Sequence, residues 1–176
     1  MNANGELVKR AISGDDQAFV NIMQLYKVDL YKTAFAYLKN SDDALEAIQE
    51  VTYRAYKGIR QVREESYVKT WLIRIMINYC NDQLKKKKRE VLGEDLLQKH
   101  GIPEEHSGLE IKDIIESLDD RSREILTLKY FHDLKIKEIA ASMQCPEGTV
   151  KTWLNKALKA LKGKLEEKEG NRNVQP

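Results

Sequence analysis

The sequence has few of the residues that stabilise small secreted or metal-bound folds. Its two cysteines, Cys80 and Cys145, belong to no Cys-x-x-Cys or Cys/His cluster, so we predict no zinc site and expect both to be small core residues in a reducing cytosol. It has three prolines, and apolar residues rarely alternate with polar ones, which predicts an all-α fold. The apolar runs are too short to cross a bilayer and no signal peptide is recognisable, so we expect a cytoplasmic protein.

The patterns of common catalytic sites are also missing. The sequence contains no Gly-rich phosphate loop, and its three histidines, His100, His106 and His132, are scattered. A metal-dependent nuclease needs histidines or carboxylates clustered near the scissile phosphate. Residues 1–90 show no β/α alternation that would form a ligand or phosphoryl-acceptor domain. We therefore predict a protein with no catalytic activity, no cofactor and no metal.

Charge is distributed unevenly, although the net charge of the whole chain is only +2. Residues 1–50 carry a net charge of −3, residues 51–90 carry +7, residues 91–110 carry −4 and residues 143–165 carry +4. Two basic blocks separated by an acidic stretch indicate two contacts with a polyanion such as DNA. The alternative is that both blocks are solvated helix faces.

Apolar residues recur at helical spacing through the first half of the chain. One stripe predicts a helix that ends near Leu38 and comprises Phe19, Met23, Tyr26 and Leu30. Residues 40–43 break that helix and cap a second one, whose buried face holds Ala44, Ile48, Val51 and Ala55. A polar connection follows over residues 58–66. A third helix is predicted from about Tyr67 to Lys88, with a stripe of Val68, Leu72, Ile75 and Tyr79.

The second half begins with an acidic, glycine-containing stretch that we predict to be a flexible linker. The predicted boundaries are a first domain at 1–90, a linker at 91–110, a second domain at 111–166 and a tail at 167–176. Within the second domain we predict a short helix over Ile111–Leu118, a break at 119–122 and a helix from Arg123 to Tyr130. Two further helices are predicted at Lys135–Met143 and from Glu147 through Leu161.

The last two predicted helices fit a helix-turn-helix, which places its second helix in the major groove of DNA. Polar residues outside the apolar stripe of that second helix are candidates for base and phosphate contacts: Thr149, Lys151, Thr152, Asn155 and Lys156. Helical hairpins with a purely structural role show the same pattern, so this segment alone leaves both interpretations open.

The start of the third predicted helix supplies an independent indication of nucleic-acid binding. Basic and aromatic side chains alternate there, at Tyr67, Lys69, Trp71 and Arg74, and Asn78 follows one turn later. Aromatic rings can stack on unpaired bases while cations hold the backbone. The alternatives are that Trp71 is a core residue and that the basic run 85–89 complements the dipole of a helix C-terminus.

Three segments together resemble the extracytoplasmic-function sigma factors of bacterial RNA polymerase. Residues 43–56, DALEAIQEVTYRAY, resemble the family pattern D-A-E-D-L-V-Q-E-T-F-x-R-A-W. Residues 67–82, YVKTWLIRIMINYCND, resemble W-L-x-R-I-A-x-N-x-x-x-D, and residues 138–152 resemble E-I-A followed by G-T-V-K-S. The three occur in the family's order and spacing, between about residues 15 and 165.

The resemblance implies two small helical domains, sigma domain 2 and a helix-turn-helix sigma domain 4, and a role for each group of residues. It implies that the β′ clamp of core RNA polymerase is contacted by Asp43, Glu46, Gln49, Glu50 and Arg54. It implies that the minus-10 promoter element is engaged and melted, with the 58–66 loop, by Lys69, Trp71, Arg74 and Asn78. It implies that domain 4 docks on the β flap and reads the minus-35 element through Thr149, Lys151, Thr152, Asn155 and Lys156. An anti-sigma factor is a further implied partner, and the linker would thread toward the polymerase channels.

The sequence departs from the family pattern near the recognition helix. Trp153 stands where arginine is common, Lys156 and Lys159 replace common arginines, and Asp119 stands where proline is frequent. Lysine is a poorer bidentate reader of guanine than arginine, so the promoter sequence is not predicted. A stand-alone helix-turn-helix regulator, a DNA-acting enzyme and a structural helical adaptor are the alternative functions.

Overall fold

The computed structural model describes residues 3–95, 114 and 117–172, and every regular element in these ranges is helical. The chain divides into two compact units, residues 1–99 and 100–176. The predicted all-α fold is confirmed for the described residues. Much of the predicted linker and the last residues of the predicted tail lie outside them.

The described part of the first unit contains four helices and two short 3₁₀ turns. The helices are α1 (Ala3–Ile12), α2 (Asp16–Leu38), α3 (Ser41–Gly58) and α4 (Val68–Asp95), and the turns are Ile59–Gln61 and Glu65–Tyr67. Helix α1 was not predicted from the sequence, although Val8 and Ala11, three positions apart, are both buried. Ten residues give too short a window for its period to stand out.

Local side-chain chemistry sets the helix boundaries of this unit. Asp15 caps α2 by accepting a hydrogen bond from the Ala18 N–H at 2.9 Å. Helix α2 ends where Lys39 adopts a left-handed conformation with φ of 55°. Asn40 then caps α3, accepting hydrogen bonds from the N–H groups of Asp42 and Asp43 at 2.9 and 3.0 Å. The predicted break and cap at 40–43 are confirmed.

The core of the first unit lies among α2, α3 and α4. The predicted stripes are largely buried, although Tyr26, Ile48 and Ile75 are only half-buried. Helix α4 is buried over more of its circumference than a single stripe predicts, since these additional residues are fully buried: Ile73, Met76, Ile77 and Cys80. A helix packed between two others needs a wider apolar face than a surface helix.

Helix α4 is also longer than predicted. It ends at Asp95 rather than at Lys88, so the basic run 85–89 lies inside the helix and does not complement its C-terminal dipole. The prediction failed because the glycines and acidic residues found after Val91 were taken to mark a linker over residues 91–110. A single glycine costs a helix only about 1 kcal/mol, and here the helix continues through it.

The second unit contains α5 (Asp120–Leu126), a π-helical turn (Thr127–Phe131), α6 (Ile136–Met143) and α7 (Glu147–Arg172). The predicted start at Arg123 is wrong, because Asp119 caps α5 by accepting a hydrogen bond from the Ser122 N–H at 3.0 Å. The predicted helix over 111–118 lies mostly outside the described residues, although Ile114 and Leu118 are buried.

Helices α6 and α7 form the predicted helix-turn-helix. Gln144 adopts a left-handed conformation with φ of 53° and ends α6, and the N–H of Thr149 donates to the carbonyl of Pro146 at the start of α7. The apolar stripe of α7 packs on α5 and α6 through residues that include Val150, Leu154, Ala157, Leu158 and Leu161. The polar face of α7 is therefore exposed to solvent.

Candidate polymerase and nucleic-acid interfaces

The five residues predicted to bind a protein partner lie on one surface between α3 and α4. An open groove there is lined by Glu46, Gln49, Glu50, Arg54, Tyr79 and Gln83. An adjoining groove shares Glu46, Tyr79 and Gln83 with the first and adds Leu38, Asp43 and Lys87. The structure therefore brings together all five predicted residues, and it adds Tyr79, Gln83 and Lys87, which sequence reasoning had not assigned to this surface.

Ion pairs organise this α3–α4 surface. The carboxylate of Glu50 accepts a hydrogen bond from Nε of Arg54 at 2.7 Å, and the Arg54 guanidinium lies 5.2 Å from the centroid of the Tyr79 ring. Burial raises the pKa of Tyr79, and the neighbouring carboxylates of Glu46 and Glu50 raise it further. Tyr79 is itself buried, so its ring forms the wall of the groove against which the Arg54 guanidinium lies.

Three of the four predicted minus-10 residues share one face of α4. Trp71, Arg74 and Asn78 are three and four positions apart, which places them on adjacent turns. Trp71 and Arg74 are half-buried and Asn78 is exposed. A Cβ placed on Gly58 would lie 3.0 Å from Cζ2 of Trp71, so the indole rests against the end of α3. This contact fixes the ring while leaving it partly accessible.

Lys69 lies apart from these three residues. It precedes Trp71 by two positions, a rotation of about 200° around the helix, and its Nζ pairs with Asp29 of α2 at 2.8 Å. The structure therefore does not bring Lys69 together with Trp71 and Asn78. The alternation of basic and aromatic residues in the sequence spans two different faces of α4.

The predicted minus-35 residues lie along the outer face of α7. Lys151, Thr152, Asn155 and Lys156 are exposed and Thr149 is half-buried, while the intervening Val150 and Ala157 are fully buried. The Thr152 hydroxyl donates to the carbonyl of Gly148 at 2.9 Å, which orients it on the first turns of the helix. A lysine- and amide-bearing face at the start of a second helix suits the major groove.

Three of the departures from the family pattern, Asp119, Trp153 and Lys156, are linked through contacts between α5 and α7. The half-buried ring of Trp153 is covered by the guanidinium of Arg121 from α5, 4.7 Å from the ring centroid. Arg121 also donates to Glu124 at 3.1 Å. Hydrogen bonds from the hydroxyl and N–H of Ser122 lower the pKa of Asp119, and the charge of nearby Lys156 lowers it further. Sequence reasoning missed Arg121 because its partner is 32 positions away.

Neither cysteine belongs to these surfaces. Burial raises the pKa of Cys80 to about 12, and Cys145 is half-buried. Within the ranges described by the structure, histidine, cysteine and carboxylate side chains form no group able to hold a metal ion. No helix in those ranges is both long enough and apolar enough to cross a membrane.

Comparison with known proteins matches both units to one family. The family model "Sigma-70 region 2" matches residues 22–90, and "Sigma-70, region 4" matches residues 108–161. RNA polymerase sigma factor SigV of Bacillus subtilis is 32% identical over 143 residues, covering 80% of this chain and 86% of SigV. The ECF RNA polymerase sigma factor SigW of the same organism is 31% identical, covering 90% of this chain and 94% of SigW.

Two solved structures share the fold. CnrH, solved with the cytosolic domain of CnrY, has a TM-score of 0.66 and 20% identity over 94% of this chain and 99% of its own. The sigma factor RpoE of Bartonella quintana, solved with the anti-sigma factor NepR, has a TM-score of 0.60 and 23% identity over 84% of this chain and 96% of its own. With both family regions present in order and relatives aligned over nearly their whole length, the chain belongs to the extracytoplasmic-function RNA polymerase sigma factors.

Proposed function

We propose that this chain binds core RNA polymerase through the α3–α4 surface and directs promoter-specific initiation through α4 and α7. The observation that carries the proposal is the pairing of two different surfaces in one chain. One is the acid- and amide-rich α3–α4 surface, which suits a basic protein partner. The other is the basic outer face of α7, which suits a phosphate backbone.

In this proposal the residues of the α3–α4 surface contact the β′ clamp. Asp43, Glu46 and Gln49 supply acceptors, and Arg54 is held by Glu50 as a donor. Docking the second unit on the β flap would bring α7 to upstream duplex DNA. The proposed domain boundaries follow the predicted ones, with the first domain extended to the end of α4 at Asp95.

Promoter opening is assigned to the Trp71, Arg74 and Asn78 face of α4. Unstacking a base costs a few kcal/mol, which capture of the splayed-out base by protein groups offsets. The partly accessible Trp71 ring supplies a stacking surface, Arg74 a cation and Asn78 an exposed amide. Lys69 is a weaker candidate for DNA contact than the sequence predicts, because Asp29 competes for its ammonium group.

The minus-35 element would be read by five residues on the outer face of α7: Thr149, Lys151, Thr152, Asn155 and Lys156.

Binding energy alone drives these steps, so the chain acts as an initiation factor rather than an enzyme. We propose a cytoplasmic location for this action, because core polymerase and the chromosome are its proposed partners. An anti-sigma factor is proposed as a regulator, supported by the structure of the sigma factor RpoE, which was solved with the anti-sigma factor NepR. An envelope or other stress response is the process that this regulator would govern.

Run-off transcription with purified core polymerase on a promoter library tests the central proposal. We expect the chain to co-purify with core and to select a discrete promoter class. A chain that neither binds core nor initiates anywhere would refute the proposal. A stand-alone helix-turn-helix regulator would instead bind specific duplex DNA without core, and a structural adaptor would bind core without directing initiation.

Asn78→Ala tests the assignment of promoter opening. We expect impaired initiation on duplex promoters, restored on templates whose minus-10 region is already unpaired, with core binding retained. Loss of core binding would make Asn78 a structural residue.

A second variant, Lys151→Ala, tests the upstream contact. It should weaken promoter binding and lower the slope of log K against log salt by about 1. Lys162→Ala, further along α7 and paired with Glu166, is the matched control.

A further inference from the structure

Arg121 is not among the residues that the sequence predicts to contact DNA. It lies in the first turn of α5, and its guanidinium is fixed from two sides. The Trp153 ring lies 4.7 Å below it, and the carboxylate of Glu124, which is only 7% exposed, accepts a hydrogen bond from Nη1 at 3.1 Å. About half of the Arg121 side chain nevertheless remains accessible. A cation that is fixed and half-exposed is prepared to bind an anion.

Arg121 lies at the edge of the outer face of α7, because Trp153, which its guanidinium covers, borders that face. Trp153 is one turn after Thr149 and one turn before Lys156, so it borders the outer face of α7. Asp119, two residues before Arg121, lies close enough to Lys156 for the lysine charge to act on it. The start of α5 therefore lies beside the edge of the recognition face, and Arg121 extends that face by one cation.

We infer that Arg121 is a phosphate-binding residue of the upstream DNA interface, positioned by Trp153. Position 153 is where the family pattern commonly has arginine, and here a tryptophan holds an arginine from a different helix over the same place. Guanidinium groups bind phosphate oxygens through paired N–H donors. The ligand is the DNA backbone rather than a base edge, since Arg121 lies on α5 and not on the groove-facing helix.

This inference rests on the proposed function, and salt-dependent binding of the holoenzyme tests the two separately. Fluorescence anisotropy would measure binding of core plus the full chain to a promoter selected from the library, across a series of salt concentrations. We expect Arg121→Ala to weaken binding roughly tenfold at low salt and to lower the salt slope by about 1. Lys162→Ala should leave the salt slope unchanged.

A second variant separates DNA contact from local folding. Arg121→Ala combined with Trp153→Arg returns a cation to this place from α7, and we expect it to recover most of the affinity and the slope. Circular dichroism confirms that each variant is folded. An unchanged slope for folded Arg121→Ala, or no recovery by the double variant, overturns the inference while leaving the proposed function standing. Failure of the wild-type holoenzyme to select any promoter refutes the proposed function itself.

Discussion

The ammonium group of Lys87, in the basic run of α4, donates a hydrogen bond to the carboxylate of Asp43 in the first turn of α3. The pair joins two residues that are 44 positions apart in sequence. Asp43 is one of the five residues proposed to contact core polymerase, so its carboxylate already has a partner before core arrives. Core binding through Asp43 must therefore compete with this ion pair.

Removing Lys87 should release Asp43 for the partner. The pair is 52% and 31% exposed, and ion pairs at such positions contribute about 1 kcal/mol or less. We therefore expect Lys87→Ala to strengthen core binding by about twofold to fivefold, with little loss of thermal stability. Titration of labelled protein with core polymerase measures the dissociation constant.

Lys86→Ala is the matched control for that experiment. It removes the same charge one position earlier, where the side chain faces Glu90 on its own helix. We expect no strengthening from this variant. Weaker core binding by Lys87→Ala alone would show that Lys87 itself contacts core, contrary to the competition proposed here.

Gly58→Ala should displace the indole of Trp71. The new methyl group would lie 3.0 Å from Cζ2 of the ring, closer than ordinary van der Waals contact, while φ of −97° leaves the backbone unstrained. Small displacements of a positioned group carry large rate penalties, so we expect promoter opening to slow by roughly tenfold or less with core binding intact. Permanganate reactivity of unpaired thymines measures opening.

The control for Gly58→Ala is Gly163→Ala in α7. A Cβ there would meet nothing within 4 Å, so the only expected effect is a gain in helix propensity of up to about 1 kcal/mol. Identical opening rates in wild type and Gly58→Ala would show that the position of the Trp71 ring does not matter for melting.

Asp119→Ala should destabilise the second unit in a pH-dependent way. Asp119 caps α5 through the N–H and hydroxyl of Ser122, and removing such a cap costs about 1 kcal/mol. The pKa of Asp119 is lowered in the folded state. Its contribution is therefore fully present above the unfolded pKa, near pH 4, and is lost as the pH falls through the lower folded pKa.

Tryptophan fluorescence in a Trp71→Phe background measures that loss in the second unit alone, because the chain has two tryptophans and the other is Trp153. The difference between Asp119→Ala and its parent should shrink as the pH is lowered below 4. Asp119→Asn keeps an acceptor oxygen without the charge, so it should retain part of the stability. A difference that stays constant down to pH 2 would contradict an ionised cap.

The two cysteines should differ in their reaction with a disulfide reagent. Burial raises the pKa of Cys80 to about 12, whereas Cys145 is half-buried at the turn before α7. At pH 8 the native protein should expose one reactive thiol and the urea-unfolded protein two. Cys145→Ser should abolish the fast native reaction. Rapid modification of that variant would show that the core around α4 opens readily.

The helical spacing of apolar residues was sufficient to predict most of the fold from the sequence. The stripes beginning at Phe19, Ala44 and Val68 each predicted a helix with the correct buried face, and Pro146 marked the start of α7 within one residue. These features are local, since they depend on neighbours three or four positions away. The boundaries that failed, at Lys88 and Arg123, depended on how far tertiary packing and a cap extend a helix.

The sequence predicted the candidate surfaces less completely than the fold, because contacts on these surfaces join residues that are distant in sequence. Lys69 was grouped with Trp71 because the two are only two positions apart in sequence, yet an ion pair with Asp29 holds it on another side of α4. Arg121 and Lys87 were missed because their partners, Trp153 and Asp43, are distant in sequence. Periodicity assigns a residue to a helix face, but it does not reveal which neighbouring helix supplies the counter-charge.

The basic run 85–89 has a further consequence because it lies inside α4. Five consecutive positions, turning by 100° each, distribute the cations around the entire circumference of the helix. Cations spread in this way cannot specify the angle at which a strand arrives. Because Lys87 is paired with Asp43 of α3, they attract a polyanion from the sides of α4 that face away from α3, out to a Debye length of about 8 Å at physiological salt. Under the proposed function, this basic run would raise the rate at which DNA is captured, whereas the Trp71–Asn78 face would orient the captured strand.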